Sequence, residues 1–415
     1  MLCLSAHRGK AAAHGNGIFP TIAILLCFFL ALFISVAPLS AKERSPEIEL
    51  TYVEGLGPAA RVVNGIPTTW YPTVGALLHR NGNAFGSLCT ATLIGCNTVL
   101  TAAHCVVRDV DVRNYRMFFQ HGGLATIKSI SWQKKDYREP SRDGEQADIA
   151  VLQLGEPITG IAPFPINQDY EHEPNVPGII VGFGRTGGSA NNFGLKRYGP
   201  VKSADCGKGF AKNEMICWDF SGGGSNTCSG DSGGPLFVSE SREQEVISGV
   251  TSGGQNSSCL SSDHSFDTSV FRYSAWVKAS AGADLGTKAC GPVVPLSAKF
   301  EENDKRFKPV SGQLSSASPR HVFEIRTKDA QVLRVGVNVA KFIEADAQET
   351  AASPRIIIAK GQTRDGANTL CRSDAAGAAA FCSVAGPEDD QIYTIVLDRV
   401  GNQGRADFQL VVSVF

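Results

Sequence analysis

Ser232 lies in the run Cys228-Ser229-Gly230-Asp231-Ser232-Gly233-Gly234-Pro235-Leu236. Glycines on both sides allow backbone angles that strain other residues and let a carbonyl approach the main chain. A hydroxyl so placed becomes a nucleophile only if a base takes its proton and backbone N–H groups face the developing oxyanion. Gly230 and Ser232 are the candidates for those N–H groups. An isolated Gly-Asp-Ser-Gly reads as a surface turn, so the stretch needs partners. His104, in Leu100-Thr101-Ala102-Ala103-His104-Cys105, is a candidate base, since small residues before it leave room beside the ring. Taken alone, a histidine next to a cysteine reads as structural. Asp148 leads the apolar run Ile149-Ala150-Val151-Leu152 and so is expected to be buried, which is costly unless the carboxylate is paired. A histidine N–H is a suitable partner. Asp143, followed by Gly144 and Glu145, reads as an exposed turn residue, and His79, His121, His172, His264 and His321 stand in no comparable setting.

These three motifs, in the order His, Asp, Ser, resemble those of the trypsin/chymotrypsin family of serine proteases. The nine residues around Ser232 match in succession, and the resemblance runs over roughly Val62–Ser280. It implies an all-β fold of two six-stranded barrels with a C-terminal helix and the site between them. It also implies a serine endopeptidase working through an acyl-enzyme, with His104, Asp148 and Ser232 as the triad and Gly230 and Ser232 as the oxyanion hole. Arg61-Val62-Val63-Asn64-Gly65 then reads as an activation site. Cleavage after Arg61 would free the Val62 ammonium to pair with Asp231 and set the Gly230 N–H in place. Asn64 stands where the family usually has glycine. By the same resemblance Cys89 pairs with Cys105, Cys206 with Cys217 and Cys228 with Cys259. Gly182-Phe183-Gly184 resembles the Gly-Trp-Gly of the loop that orders on activation. Cys371 and Cys382 are expected to close a loop in the tail. Cys96 and Cys290 are left over and are expected to pair.

For specificity the resemblance points to Asn226, six residues before the serine, at the base of the primary pocket. Ser252, Gly254 and Ser265 are expected around it, Ser252 also touching the triad aspartate. With Asn226 in place of an aspartate the pocket is expected to be neutral and to take medium-sized apolar or polar side chains, with Asp263 and Asp267 as nearby acids able to restore a negative charge. A neutral pocket would cut poorly after Arg61, so a separate activating protease is expected. No metal or other cofactor is expected; Met117–Lys128, where some relatives carry an acid-bearing calcium loop, contains no Asp or Glu.

Other elements must hold these groups in place. The chain has 415 residues, enough for more than one domain. Its 39 basic and 40 acidic residues nearly cancel, which argues against a nucleic-acid partner. Residues 1–41, with Arg8 and Lys10 before an apolar run from Ile18 to Val36 and small residues at Ser40 and Ala41, read as a signal peptide; the run is also long enough for an uncleaved anchor. Residues 42–61 read as a propeptide, 62–290 as the protease domain, 291–300 as a proline-bearing linker and 301–415 as a β-sandwich accessory domain. Short apolar runs such as Val99–Ala103, Ile149–Leu154 and Ile179–Val181 are expected strands. Tyr273, Trp276 and Val277, at helical spacing, predict the terminal helix. In the tail, Leu333, Val335, Val337 and Val339 alternate with Arg334, Gly336 and Asn338, and Phe408, Leu410, Val412 and Val414 with Gln409, Val411 and Ser413. Strands with one buried face are expected there. This tail resembles the β-sandwich domains of pre-peptidase C-terminal type appended to bacterial secreted peptidases.

Ten cysteines remain once Cys3 and Cys27 leave with the leader, and no Cys-x-x-Cys spacing occurs, so disulfides in an exported protein are expected. The expected partners are a protein or peptide substrate and the activating protease, with a monomer in the extracellular space or periplasm and the membrane involved only if the leader is kept. The rival reading is a non-catalytic homologue that binds or adheres on the same scaffold. Such proteins lose the serine, the histidine or an oxyanion glycine, and all are retained here.

Overall fold

The computed structural model describes residues 48–54, 65–138, 147–188, 192–207, 210, 213–219, 224–239, 245–259, 263–286, 288–291, 296–299, 304–340, 352–363, 366–373, 377–401 and 405–415. The expected leader and the Arg61-Val62 bond lie outside them. Ser45–Phe415 form one compact unit. Strand β1 (Glu49–Glu54) joins a sheet of the tail, and the two-residue β2 (Ile66–Pro67) ends a sheet of the part that precedes the tail. Six strands then close a barrel in the order β3-β4-β5-β8-β7-β6: β3 (Val74–Asn81), β4 (Ala84–Leu93), β5 (Thr98–Thr101), β6 (Tyr115–Phe119), β7 (Gly123–Trp132) and β8 (Ala150–Leu154). Leu77, Leu93, Leu100, Met117, Phe118 and Leu152 fill it, and closure leaves no free edge.

The next strands are β9 (Pro177–Gly182), β10 (Arg197–Lys202), β11 (Met215–Asp219), β12 (Pro235–Val238), β13 (Val246–Gly254) and β14 (His264–Ser269). They form a seven-stranded antiparallel sheet, β11-β14-β13-β12-β9-β10-β2, in place of a second closed ring. Helix α1 (Val270–Ala281) follows, its N-terminus capped by the Ser269 hydroxyl and its Val270, Tyr273 and Val277 buried. The expected helix is therefore present.

The tail is a sandwich. Strands β15 (Phe307–Leu314), β17 (Val332–Val339), β20 (Ala379–Ala385) and β22 (Ala406–Val414) form one sheet. Strands β16 (Arg320–Arg326), β18 (Ser353–Lys360), β19 (Thr369–Ser373) and β21 (Ile392–Val400) form the other, with β1 at its edge. The two share a core that includes Phe323, Val335, Ile356, Ile395, Phe408 and Leu410.

The alternation in β17 and β22 reads correctly on one side only. Leu333, Val335 and Val337 enter the sandwich core, but Arg334, Asn338, Gln409 and Ser413 are buried as well, against the part of the chain that precedes the tail. Gln120 donates to Asn338 (2.9 Å) and Gln409 (3.1 Å), and Gln409 donates to the Lys196 carbonyl (3.0 Å). Arg334 donates to both the carbonyl and the hydroxyl of Thr159 (2.6 Å each). At Gly336 a Cβ would overlap the Gln120 carbonyl, so only glycine permits this approach. Lys196 is wholly buried, its ammonium donating to the Tyr71 and Val74 carbonyls, and burial pushes its pKa down to about 7. Leu296, from the segment expected to be a linker, is fully buried and exchanges backbone bonds with Gly160 and Ala162.

Candidate active site

His104 is carried on a short helical turn just after β5, Asp148 stands two residues before β8, and Ser232 precedes β12. The first two are contributed by the closed barrel, the third by the open sheet. Asp148 is completely buried. Its Oδ2 accepts from the His104 ring Nδ1 (2.7 Å) and the Ser252 hydroxyl (2.7 Å), and its Oδ1 from the His104 backbone N–H (2.8 Å). The imidazole is thereby fixed with its proton on Nδ1, leaving Nε2 as the acceptor. Burial alone would lower the His104 pKa, but the adjacent Asp148 carboxylate outweighs it and the net direction is up.

Ser232 is positioned by its neighbours. Its carbonyl accepts from Thr90 N–H (2.8 Å), and Gly233 lies so tightly against Thr101 and Ala102 that no side chain fits. This seats the serine beside the turn bearing His104. Among the described residues Ser232 Oγ makes no hydrogen bond to His104; such contacts tighten only when substrate is bound. Gly230 has φ +97°, outside the comfortable range of L side chains, and its carbonyl accepts from the buried Thr90 hydroxyl (2.9 Å). The same hydroxyl accepts from Phe183 N–H (3.0 Å). Thr90 thus pins the loop before Ser232 to Gly182-Phe183-Gly184. Sequence reasoning missed it; a threonine in a buried strand next to a half-cystine was the available signal. Among the described residues the N–H groups of Gly230 and Ser232 have no acceptor.

Asp231 points the other way, into a cavity lined by Gly65, Gly182, Gly184, Arg197 and Cys228. Its carboxylate accepts from Gly184 N–H (2.7 Å) and Cys228 N–H (2.9 Å). Burial pushes its pKa up to about 6 despite those two bonds and the nearby Arg197. Gly65, on the cavity wall, lies three positions after Val62.

A second cavity opens beside Ser232, walled by Gly253 and Gly254 and reaching Asp263. Asn226 is not on its surface. It stands behind Asp263, donating to Asp263 Oδ2 (2.9 Å) and accepting from Ser265 (2.6 Å). Asp263 Oδ1 accepts from Asn256 N–H (2.8 Å). The pocket expected to be neutral therefore contains a carboxylate: Asn226 and Ser265 hold it, Gly254 makes room for it, and Ser252 is committed to Asp148. The other acid, Asp267, is fully buried against Gly249 and outside this cavity; burial drives its pKa well up.

The expected disulfides Cys89–Cys105, Cys206–Cys217, Cys228–Cys259 and Cys371–Cys382 are formed, and Cys96 pairs with Cys290. Cys89, Cys105 and His104 gather three metal-type ligand atoms, but two are the sulfurs of a disulfide and offer no thiolate.

Residues 63–277 match the family described as Trypsin. A protein named "Trypsin" from Saccharopolyspora erythraea is 31% identical over 199 residues, covering 45% of this chain and 82% of that protein. "Trypsin, alkaline C" from Manduca sexta is 31% identical over 239 residues, covering 52% and 90%. "Transmembrane protease serine 11C" from Mus musculus is 28% identical over 211 residues, covering 47% and 48%.

Proposed function

This chain belongs to the trypsin family, and from that premise we propose that it is a secreted serine endopeptidase, made as a precursor and switched on by cleavage after Arg61. The observation that carries the reading is the bonding of Asp148. A buried carboxylate holds one tautomer of a partly exposed imidazole beside a serine whose flanking N–H groups are uncommitted.

The chemistry follows. His104 Nε2 takes the proton of Ser232 Oγ as the oxygen attacks a peptide carbonyl, and the carbonyl electrons move onto the oxygen facing Gly230 and Ser232 N–H. Each such donor contributes about 2.7–4 kcal/mol to the transition state. The C–N bond breaks as the imidazolium returns its proton to the leaving amine, and the serine keeps the acyl group. Water, deprotonated by the same imidazole, then releases the acid and restores the hydroxyl. Asp148 stays ionised throughout and stabilises the imidazolium.

In the precursor, Asp231 is a costly buried carboxylate. The ammonium of Val62, three residues before Gly65, would enter its cavity and make a hydrogen-bonded ion pair. Substrate choice follows from Asp263. A carboxylate lining the cavity beside Ser232 favours a cationic side chain, so cleavage is after Arg or Lys. Arg61 is then a site of the enzyme's own type, and one active molecule can process another without a second protease. Five disulfides suit an oxidising compartment outside the cytosol.

The test is a fluorophosphonate probe applied to the full precursor clipped after Arg61, followed by a peptide-library digest. Labelling that vanishes in Ser232→Ala, with cleavage after Arg and Lys that Asp263→Asn loses by about a thousand-fold, supports the reading. Absence of labelling on folded, clipped protein removes the proposed activity. Cleavage mainly after apolar residues removes the role of Asp263 alone.

A further inference from the structure

Strand β1 belongs to the segment upstream of Arg61, yet it is part of the tail. It pairs antiparallel with β16 from Glu49↔Arg326 to Glu54↔Val322 and forms the edge of the five-stranded sheet. Period-two alternation turns Ile48 and Leu50 inward. Ile48 is buried in the sandwich core, Leu50 packs against that core, and the Tyr52 ring lies 5.5 Å from the Phe323 ring. A segment read from sequence as part of a propeptide is thus a structural strand of a sheet whose other members begin some 270 positions later.

We propose that β1 stays in place after the Arg61-Val62 bond is cut, so that the active enzyme is two chains held together without a covalent link. The inference rests on cleavage after Arg61. Residues 42–61 contain no cysteine, so no disulfide joins the pieces. What holds them is the ladder to β16 and the seat of Ile48. Departure of the strand would open a gap in the core and leave a row of unpaired N–H and C=O groups along β16, an edge that invites pairing with another chain. The edge of β16 is therefore a strand-accepting surface, and the occupant it fits is residues 48–54 of its own chain. Only the short stretch from 55 to 61 is then released, at its far end, leaving the new N-terminus free to reach the Asp231 cavity.

The experiment replaces residues 57–61 by the recognition sequence of a sequence-specific protease that cuts at its C-terminal end, so that retention is measured whether or not Arg61 is the natural site. In a Ser232→Ala background, cutting should leave the N-terminal peptide co-eluting one-to-one with 62–415 on gel filtration and bound in native mass spectrometry. It should separate in denaturant without reductant. Ile48→Asp, still tethered while it folds, should release its peptide at least tenfold faster after the cut, whereas Thr51→Ala, at an exposed position of β1, should not. A peptide that elutes apart from the uniformly folded body within the time of one column run overturns the proposal. Retention in Ser232→Ala without any gain of activity in the Ser232 form sinks the activation reading and leaves the strand assignment standing.

Discussion

The cleft and the seam between catalytic half and tail both bury charge, and they dispose of it differently. In the cleft, Asp148 is fully enclosed and three donors converge on it, yet the imidazole it orients keeps 22% of its side-chain surface exposed. In the seam, Lys196, His121 and Arg334 are sunk among carbonyls and hydroxyls. His121 donates to the Thr69 carbonyl and accepts from Ser413, and burial pushes its pKa down to about 3. A buried polar network built for chemistry ends on one group that a substrate can reach. A network built for docking closes on itself and fixes the geometry of two layers.

Substitutions should separate the two. The largest effect belongs to Asp148→Asn, which leaves the fold but favours the wrong tautomer, lowering kcat by about 10⁴-fold. In the unsubstituted enzyme kcat/KM should fall as pH drops through a value above 6.5, because Asp148 raises the pKa of His104 and protonation removes the base. The acid limb should move to lower pH in the variant. A limb that does not shift would detach His104 from Asp148.

Next comes Lys196→Met, read by urea unfolding in a Ser232→Ala background. Unfolded, the lysine titrates near 10.5; in the seam it is depressed to about 7. Between these values the folded form holds fewer protons, so stability rises with pH across the window and the cost is full below 7. The variant should therefore gain about 2–4 kcal/mol at pH 6 relative to its effect at pH 10. Equal effects at both would mean that the amine is solvated.

The smallest effect tests the boundary between the two kinds of network. Thr90→Val should lower kcat about 10–100-fold with KM little changed, since the loop carrying Gly230 loses its anchor. Thr90→Ser should restore it. Loss of stability with unaltered kcat in the folded fraction would make Thr90 merely structural.

The His104–Asp148 pairing, the terminal helix and the Cys96–Cys290 pair were legible because each rests on local motif or on cysteine number. What stayed hidden depends on contacts between distant segments. Arg334 and Asn338 alternate as outward residues do, but the face they occupy is covered by a second layer that strand periodicity cannot reveal. Asp263 stands immediately before β14, where no periodicity fixes which way a side chain points. β1, with exposed Glu49 and Thr51 alternating with inward residues, carries a strand pattern and no sign of its partner.

The Cys96–Cys290 bridge encloses His104, Asp148 and Ser232 within a loop of 194 positions. If the proposed activity holds, other copies of the same enzyme are among the things that can nick this chain. A single nick anywhere inside that loop opens it but leaves the two fragments joined through the disulfide, so they stay neighbours and do not drift apart. Under reducing conditions the same wound becomes a lost fragment, so the lifetime of the enzyme is tied to the oxidant around it.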